Sequence, residues 1–164
     1  LQEIFRCGRG VLYKVISLQE RRKFRELMNR YNAYGYVAFI PGARKRMDLV
    51  YCIEEDWCVL FTIHLINNFS LALKYKLDWN HTWFFRRVAT VEECRDKYGH
   101  VTVEGYRCVI EYLKQHGAEA VLGLVMRTDK RRSGGTFKRL GFEEIGETVK
   151  GHGRWFLLRL KKHD

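Results

Sequence analysis

AEAVLGLVMRTDKRRSGGTFKRLGFEEIGE, residues 118–147, decides the fold of this chain. Its first part, 118–126, is almost uniformly apolar, the pattern of a strand buried on both faces. A short helix is expected over DKRRSGGTFKRLG, 129–141, stopped by Gly141. FEEIGETV (142–149) and GRWFLLRLKK (153–162) then read as an antiparallel hairpin joined across KGHG. Between strand and helix lies a basic stretch: 127–139 carries six Lys/Arg against one Asp. It is either a site for phosphate or a solvated basic surface.

Upstream, the same patterns continue. TVEGYRCVIEYLKQHG (102–117) places Tyr106, Val109, Ile110 and Leu113 on one helical face and ends at Gly117. HTWFFRRVAT (81–90) is aromatic and β-branched, as strands are. VLYKVI (11–16) predicts a first strand. SLQERRKFRELMNRY (17–31) predicts a helix, with Ser17 and Glu20 as a capping box and Phe24, Leu27, Met28 and Tyr31 on its apolar face. LVYCIEE (49–55) and WCVLFTIHL (57–65) predict strands around an acidic turn at Glu54, Glu55 and Asp56. INNFSLALKYKLDWN (66–80) reads as irregular or as one short helix. The order is β-α-β-β-β-α-β-α-β-β, a single α+β (mixed α/β) domain over 1–164 with a central mixed sheet flanked by helices.

Composition narrows the functions. Among 164 residues, 46% are hydrophobic and 14% aromatic, enough for a packed core. No apolar run approaches the ~18 residues of a membrane span. A formal charge of +11 predicts a polyanionic partner: nucleic acid such as DNA or tRNA, an acidic membrane surface, or a phosphorylated ligand. Because the chain opens at Leu1, an upstream segment is expected to have preceded it. Five scattered cysteines without a C-x-x-C pair argue against a disulfide framework and against a metal site, and for buried thiols in a reducing cytoplasm.

The element order, ending strand–helix–strand–helix–strand–strand, resembles the GCN5-related N-acetyltransferase (GNAT) fold. FKRLGFEEIGE, 137–147, is similar to the family segment in which an aromatic, a basic pair and Gly-Phe lead into the last hairpin. Residues 81–160 carry most of the likeness. TDKRRSGGTF is also similar to the Asp-and-glycine turn of phage DNA-modification acyltransferases. The resemblance implies transfer of an acetyl (acyl) group from acetyl-CoA, or another acyl-CoA, to a primary amine, with a modified nucleobase in DNA or a tRNA as acceptor. The alternative is a non-catalytic nucleic-acid-binding module on a degenerate acyltransferase fold.

It also implies site residues. Backbone N–H groups near Val88, Ala89 and Thr90 would polarise the thioester carbonyl. Arg95, Gly99, His100, Val101 and Thr102 stand where the family binds the pyrophosphate at a helix N-terminus, although CRDKYGHVTVEG lacks the family's glycine spacing. Arg131 and Phe137 would flank the cofactor, with Phe137 at a position often held by a tyrosine acid. Asp129 is expected as a base or substrate orienter, or as a helix cap, and Ser133 as a donor to the leaving thiolate. His64 is the second candidate base. Gly134 and Gly135 would let the backbone approach a ligand. Arg86 and Arg87, alternating along a strand, would send one cation to the core side as a substrate contact. Together with Arg131 and Arg132 they form the expected substrate or nucleic-acid set.

Overall fold

The computed structural model describes residues 1–126 and 134–161. Its strands are β1 (Gln2–Cys7), β2 (Gly10–Lys14), β3 (Arg44–Ile53), β4 (Asp56–Leu65), β5 (Thr82–Thr90), β6 (Ala120–Met126), β7 (Glu143–Glu147) and β8 (Gly153–Arg159). Its helices are α1 (Leu18–Tyr31), α2 (Phe69–Lys74), α3 (Glu92–Tyr98), α4 (Val101–Gln115) and α5 (Gly135–Arg139). The strands form one sheet in the order β1-β2-β3-β4-β5-β6-β8-β7. Every neighbouring pair is antiparallel except β5 with β6.

Local chemistry explains the elements the sequence predicts. Ser17 accepts from the Glu20 N–H while the Glu20 carboxylate accepts from the Ser17 N–H, so the capping box closes α1. Such a cap contributes about 1 kcal/mol. Phe24 and Met28 are buried from the same helix, each worth roughly 1.5–3 kcal/mol in removed apolar surface. β6 is central, with β5 on one side and β8 on the other, and its residues 120–126 are apolar throughout.

Three elements differ from the sequence reading. β1 precedes the first expected strand; QEIFRC is an exposed edge strand, so it lacks the apolar alternation of a core strand. α3 occupies 92–98, where a loop was expected. Of the helix expected over 129–141, α5 begins at Gly135 and the earlier positions lie outside the described residues.

The cysteines also overturn an expectation. Cys7 pairs with Cys108 and Cys58 with Cys94, leaving Cys52 as a buried free thiol. The partners are 101 and 36 positions apart, on β1 and α4 and on β4 and α3. Only the folded sheet brings them to Cα separations of 5.7 and 5.3 Å. The cytoplasmic expectation therefore loses the unpaired thiols on which it rested. Among the described residues, no helix is long and apolar enough to cross a membrane.

Candidate active site

The sheet opens where its two parallel strands part. β5 and β6 are in register only at Thr82–Ala120, Trp83–Val121 and Phe84–Leu122. Beyond Phe84, β5 runs to Thr90 and β6 to Met126 without pairing, so a V-shaped split forms between them. Backbone groups of β5 that face the split have no ladder partner on that side, and such groups need partners from elsewhere. One has found it: the buried Asn32 amide, just past α1, donates to the Val88 carbonyl at 2.8 Å. Val88 is buried and meets the split through its backbone, whereas Ala89, in step with Val91, turns its backbone toward β4.

One face of the split is filled by aromatic rings. Phe61 and Phe85 turn toward α4, where Tyr106 packs on both with centroids 5.4 and 4.9 Å away. Phe137 of α5 lies 5.5 Å from Tyr106, 4.9 Å from Phe142 and 5.4 Å from Phe156. Phe137 is thereby core, held over β6 by Gly123; a Cβ there would lie 2.3 Å from the Phe137 ring. Gly134 has φ +81° and sits on Phe156, 2.5 Å from a notional Cβ. Its missing side chain serves the protein's own packing, not the expected ligand approach.

At the mouth of the split, α4 presents its N-terminus. His100 is the N-cap and makes no side-chain cap bond. The Val101 N–H is taken by the Gly99 carbonyl at 2.7 Å, while the Val101 side chain is fully buried. The Thr90 and Thr102 hydroxyls meet at 2.6 Å, joining the end of β5 to the first turn of α4. Gly99 has φ +86° with nothing within 4 Å of its Cβ position, so the turn is open to solvent. Thr90, Gly99, His100, Val101 and Thr102 are thus brought together. Arg95 is not: it is exposed on α3, and it meets the junction through its carbonyl, which accepts the Gly99 N–H. A fifteen-residue helix whose N-terminus has no side-chain cap suits an anion.

The opposite face carries the cations. The β4–β5 register shifts between Thr62 and Ile63, which leaves Arg86 as an extra residue opposite no partner. This bulge cancels the expected alternation of Arg86 and Arg87. Arg86 lies with His64 and Phe84, donating to His64 Nε2 at 3.2 Å and Asn67 Oδ1 at 3.4 Å. Arg87, paired in register with Thr62, donates to the Gly35 carbonyl at 3.2 Å. Both are half-buried, and burial presses both pKa values downward. Neither has a carboxylate partner among the described residues. His64 itself is fully buried: its Nδ1 donates to the Leu65 carbonyl at 2.7 Å and its Nε2 accepts from Arg86. With both nitrogens engaged and its pKa lowered by burial, it serves as a neutral strut for Arg86 rather than a base.

Asp129, Arg131, Arg132 and Ser133 lie outside the described residues. Sequence reasoning missed Asn32, Tyr106 and Tyr36. In the sequence Tyr106 is one apolar position on a helix face; in the fold its phenol is the one proton donor in the aromatic cluster among the described residues. At the far end of the sheet, Asp78, His81 and Glu119 bring ligand-type atoms within 4.8 Å of one another. His81 lies 3.0 Å from Asp78, and Lys161 2.9 Å from Glu119.

No family model matches the chain, and no curated protein does. Solved structures match in fold. The ribosomal-protein-S18-alanine N-acetyltransferase from Escherichia coli aligns over 94% of this chain and 96% of its own, with TM-score 0.62 and 11% identity. An N-acetyltransferase from Staphylococcus aureus Mu50 aligns over 93% and 99%, with TM-score 0.62 and 10% identity. The aminoglycoside acetyltransferase AAC(6')-Ib, in complex with coenzyme A, aligns over 92% and 94%, with TM-score 0.66 and 10% identity. The architecture is that of the GNAT fold, as the resemblance implied.

Proposed function

We propose that this chain is an acyl-CoA-dependent N-acyltransferase, with acetyl-CoA as donor and a primary amine on a nucleic acid as acceptor. The observation that carries the reading is the split between β5 and β6, with the uncapped N-terminus of α4 at its mouth. Amine acylation needs a neutral amine, a polarised carbonyl and a proton for the leaving thiolate. With the Val88 carbonyl taken by Asn32, the Val88 and Thr90 N–H groups are the β5 donors directed to the place where a thioester carbonyl would lie. The first turn of α4, with Gly99 and Thr102, would hold the pyrophosphate. As the amine attacks, the carbon–sulfur bond breaks, the nitrogen loses a proton and the sulfur gains one. Asp129 is the candidate to orient or deprotonate the amine. Ser133 and Tyr106 are candidates to protonate the thiolate, and Arg131 to meet a cofactor phosphate. The charge of +11, with Arg86 and Arg87 lacking a carboxylate partner among the described residues, supports an anionic acceptor.

The test is thermal. Acetyl-CoA at a hundred times its dissociation constant should stabilise the fold by roughly 2.7 kcal/mol. Desulfo-CoA should do nearly as well, since the phosphates and pantetheine are retained. No shift with millimolar ligand would remove the enzymatic reading.

One set of observations favours a second reading, a nucleic-acid-binding module without chemistry. Phe137 is locked against Gly123 where a phenol is often used, and α3 stands in the expected glycine loop. Oligonucleotide binding with no response to either CoA compound would select it.

A further inference from the structure

The cations opposite α4 do not stand alone. They follow one another by contact, interleaved with aromatic rings of the 32–40 segment. Arg87 holds the Gly35 carbonyl and lies 5.6 Å from the Tyr34 ring. Tyr36 follows, flanked by the guanidinium groups of Arg25 at 5.7 Å and Arg46 at 5.4 Å. Tyr36 also lines an open hollow of about 500 Å³ with Leu18, Arg21, Arg22 and Arg25. Two basic segments, α1 and the start of β3, therefore converge on one tyrosine. Arg44 is diverted to Trp79 and Asn80 and takes no part.

The segment is held in place. The Tyr36 N–H donates to Asn29 at 2.8 Å, Arg46 donates to the Ala38 carbonyl at 3.0 Å, and Asn32 anchors the base of the segment in the split. Fixed in this way, it still presents apolar rings to water: Phe39 is 78% exposed and Tyr34 45%. Asp48, a carboxylate beside the path, is engaged by Arg46 and by the Thr62 hydroxyl. A cationic groove with rigid, exposed rings has the two parts that unpaired nucleic acid requires. Phosphates take the guanidinium groups, and each base offers a π-face for stacking. In a duplex the bases already stack on one another and their exocyclic amines are paired, so the rings would have nothing to receive.

We infer that the path from Arg86 and Arg87 through Tyr34, Tyr36 and Phe39 to Arg21 and Arg22 is a binding platform for an unpaired nucleic-acid strand. It would lead that strand to the split between β5 and β6. Only the last step, delivery of a base amine for acylation, rests on the function proposed above; strand binding needs no CoA.

The test is fluorescence anisotropy without CoA. The probes are a fluorescein-labelled mixed-sequence DNA oligonucleotide of about 12 nucleotides and the same oligonucleotide annealed to its complement, in low salt where the phosphate term is strong. The single strand should bind about tenfold or more tighter than the duplex, as base stacking on a few rings implies. Phe39→Ala and Tyr34→Ala, both at exposed positions, should each weaken the single strand severalfold and leave the duplex unchanged. Arg22→Glu should weaken both. Equal or tighter binding of the duplex would overturn the inference, as would single-strand affinity indifferent to Phe39 and Tyr34. Equal binding of a poly-glutamate peptide would overturn it too. Strand binding without a CoA-induced thermal shift would retire the enzymatic reading and leave this one standing; the converse result would do the reverse.

Discussion

Phe137 rests its para carbon on Gly123: a Cβ added to Gly123 would lie 2.3 Å from Phe137 Cζ. A ring this close leaves no space for a substituent on either partner. Phe137→Tyr should therefore not restore a missing acid. It should lower stability by about 1–3 kcal/mol, the usual cost of overpacking a core, with no gain in turnover. Gly123→Ala should lose as much or more. Thermal denaturation of both variants, with thiol release measured beside it, checks the claim. A stable Phe137→Tyr with raised turnover would contradict it.

The proton for the thiolate is then sought on neighbouring hydroxyls. Tyr106→Phe keeps every ring contact, and Asp129→Asn keeps the side chain's size while removing its charge. Each should cost more than about tenfold in turnover if its group handles a proton, within the usual range for general acid–base catalysis. Melting temperatures should stay near that of the unaltered protein. Unchanged turnover would leave Tyr106 as packing and remove Asp129 from the chemistry; α5 itself is capped at Gly134.

Burial holds the His64 pKa below the ordinary imidazole value. The folded ring is neutral, while the unfolded ring gains its proton near pH 6.5. The contribution of His64 to stability is therefore complete above that pH. It is lost as pH falls through 6.5 toward the lower folded pKa, because protons then favour the unfolded chain. Melting temperature should fall on mild acidification, and His64→Gln should flatten that fall. An unchanged slope would mean that other groups carry it.

The cysteines give a counting experiment. Burial pushes the Cys52 thiol up to about 12, so the folded, unreduced protein should take up no iodoacetamide. Unfolded without reductant it should take one equivalent, and after reduction five, by intact mass. Replacing Cys7 and Cys108 together by serine should cost about 2–5 kcal/mol, since their bridge closes a long loop.

Much of the architecture was legible in the residues. The capping box at Ser17 and Glu20, the apolar face of α4, the uniformly apolar β6 and the Gly141 stop are local signals. Each depends on side-chain period or on a backbone preference that a few neighbours set. The formal charge likewise needed no structure. What the chain could not disclose were relations between distant segments. The bulge that sends Arg86 and Arg87 to one face is a property of the pairing between β4 and β5, not of either strand. The Asn32 bond to Val88 spans 56 positions and the Cys7 bridge 101. Tyr36 became the meeting point of Arg25 and Arg46 only when α1 packed across the sheet on β4 and β5. Phe137 sits where the resemblance expects an acid, yet its surroundings make it core: Gly123, Tyr106 and Phe156 close on it from β6, α4 and β8. Local preference chose the elements, and packing at a distance decided which of their side chains face the split.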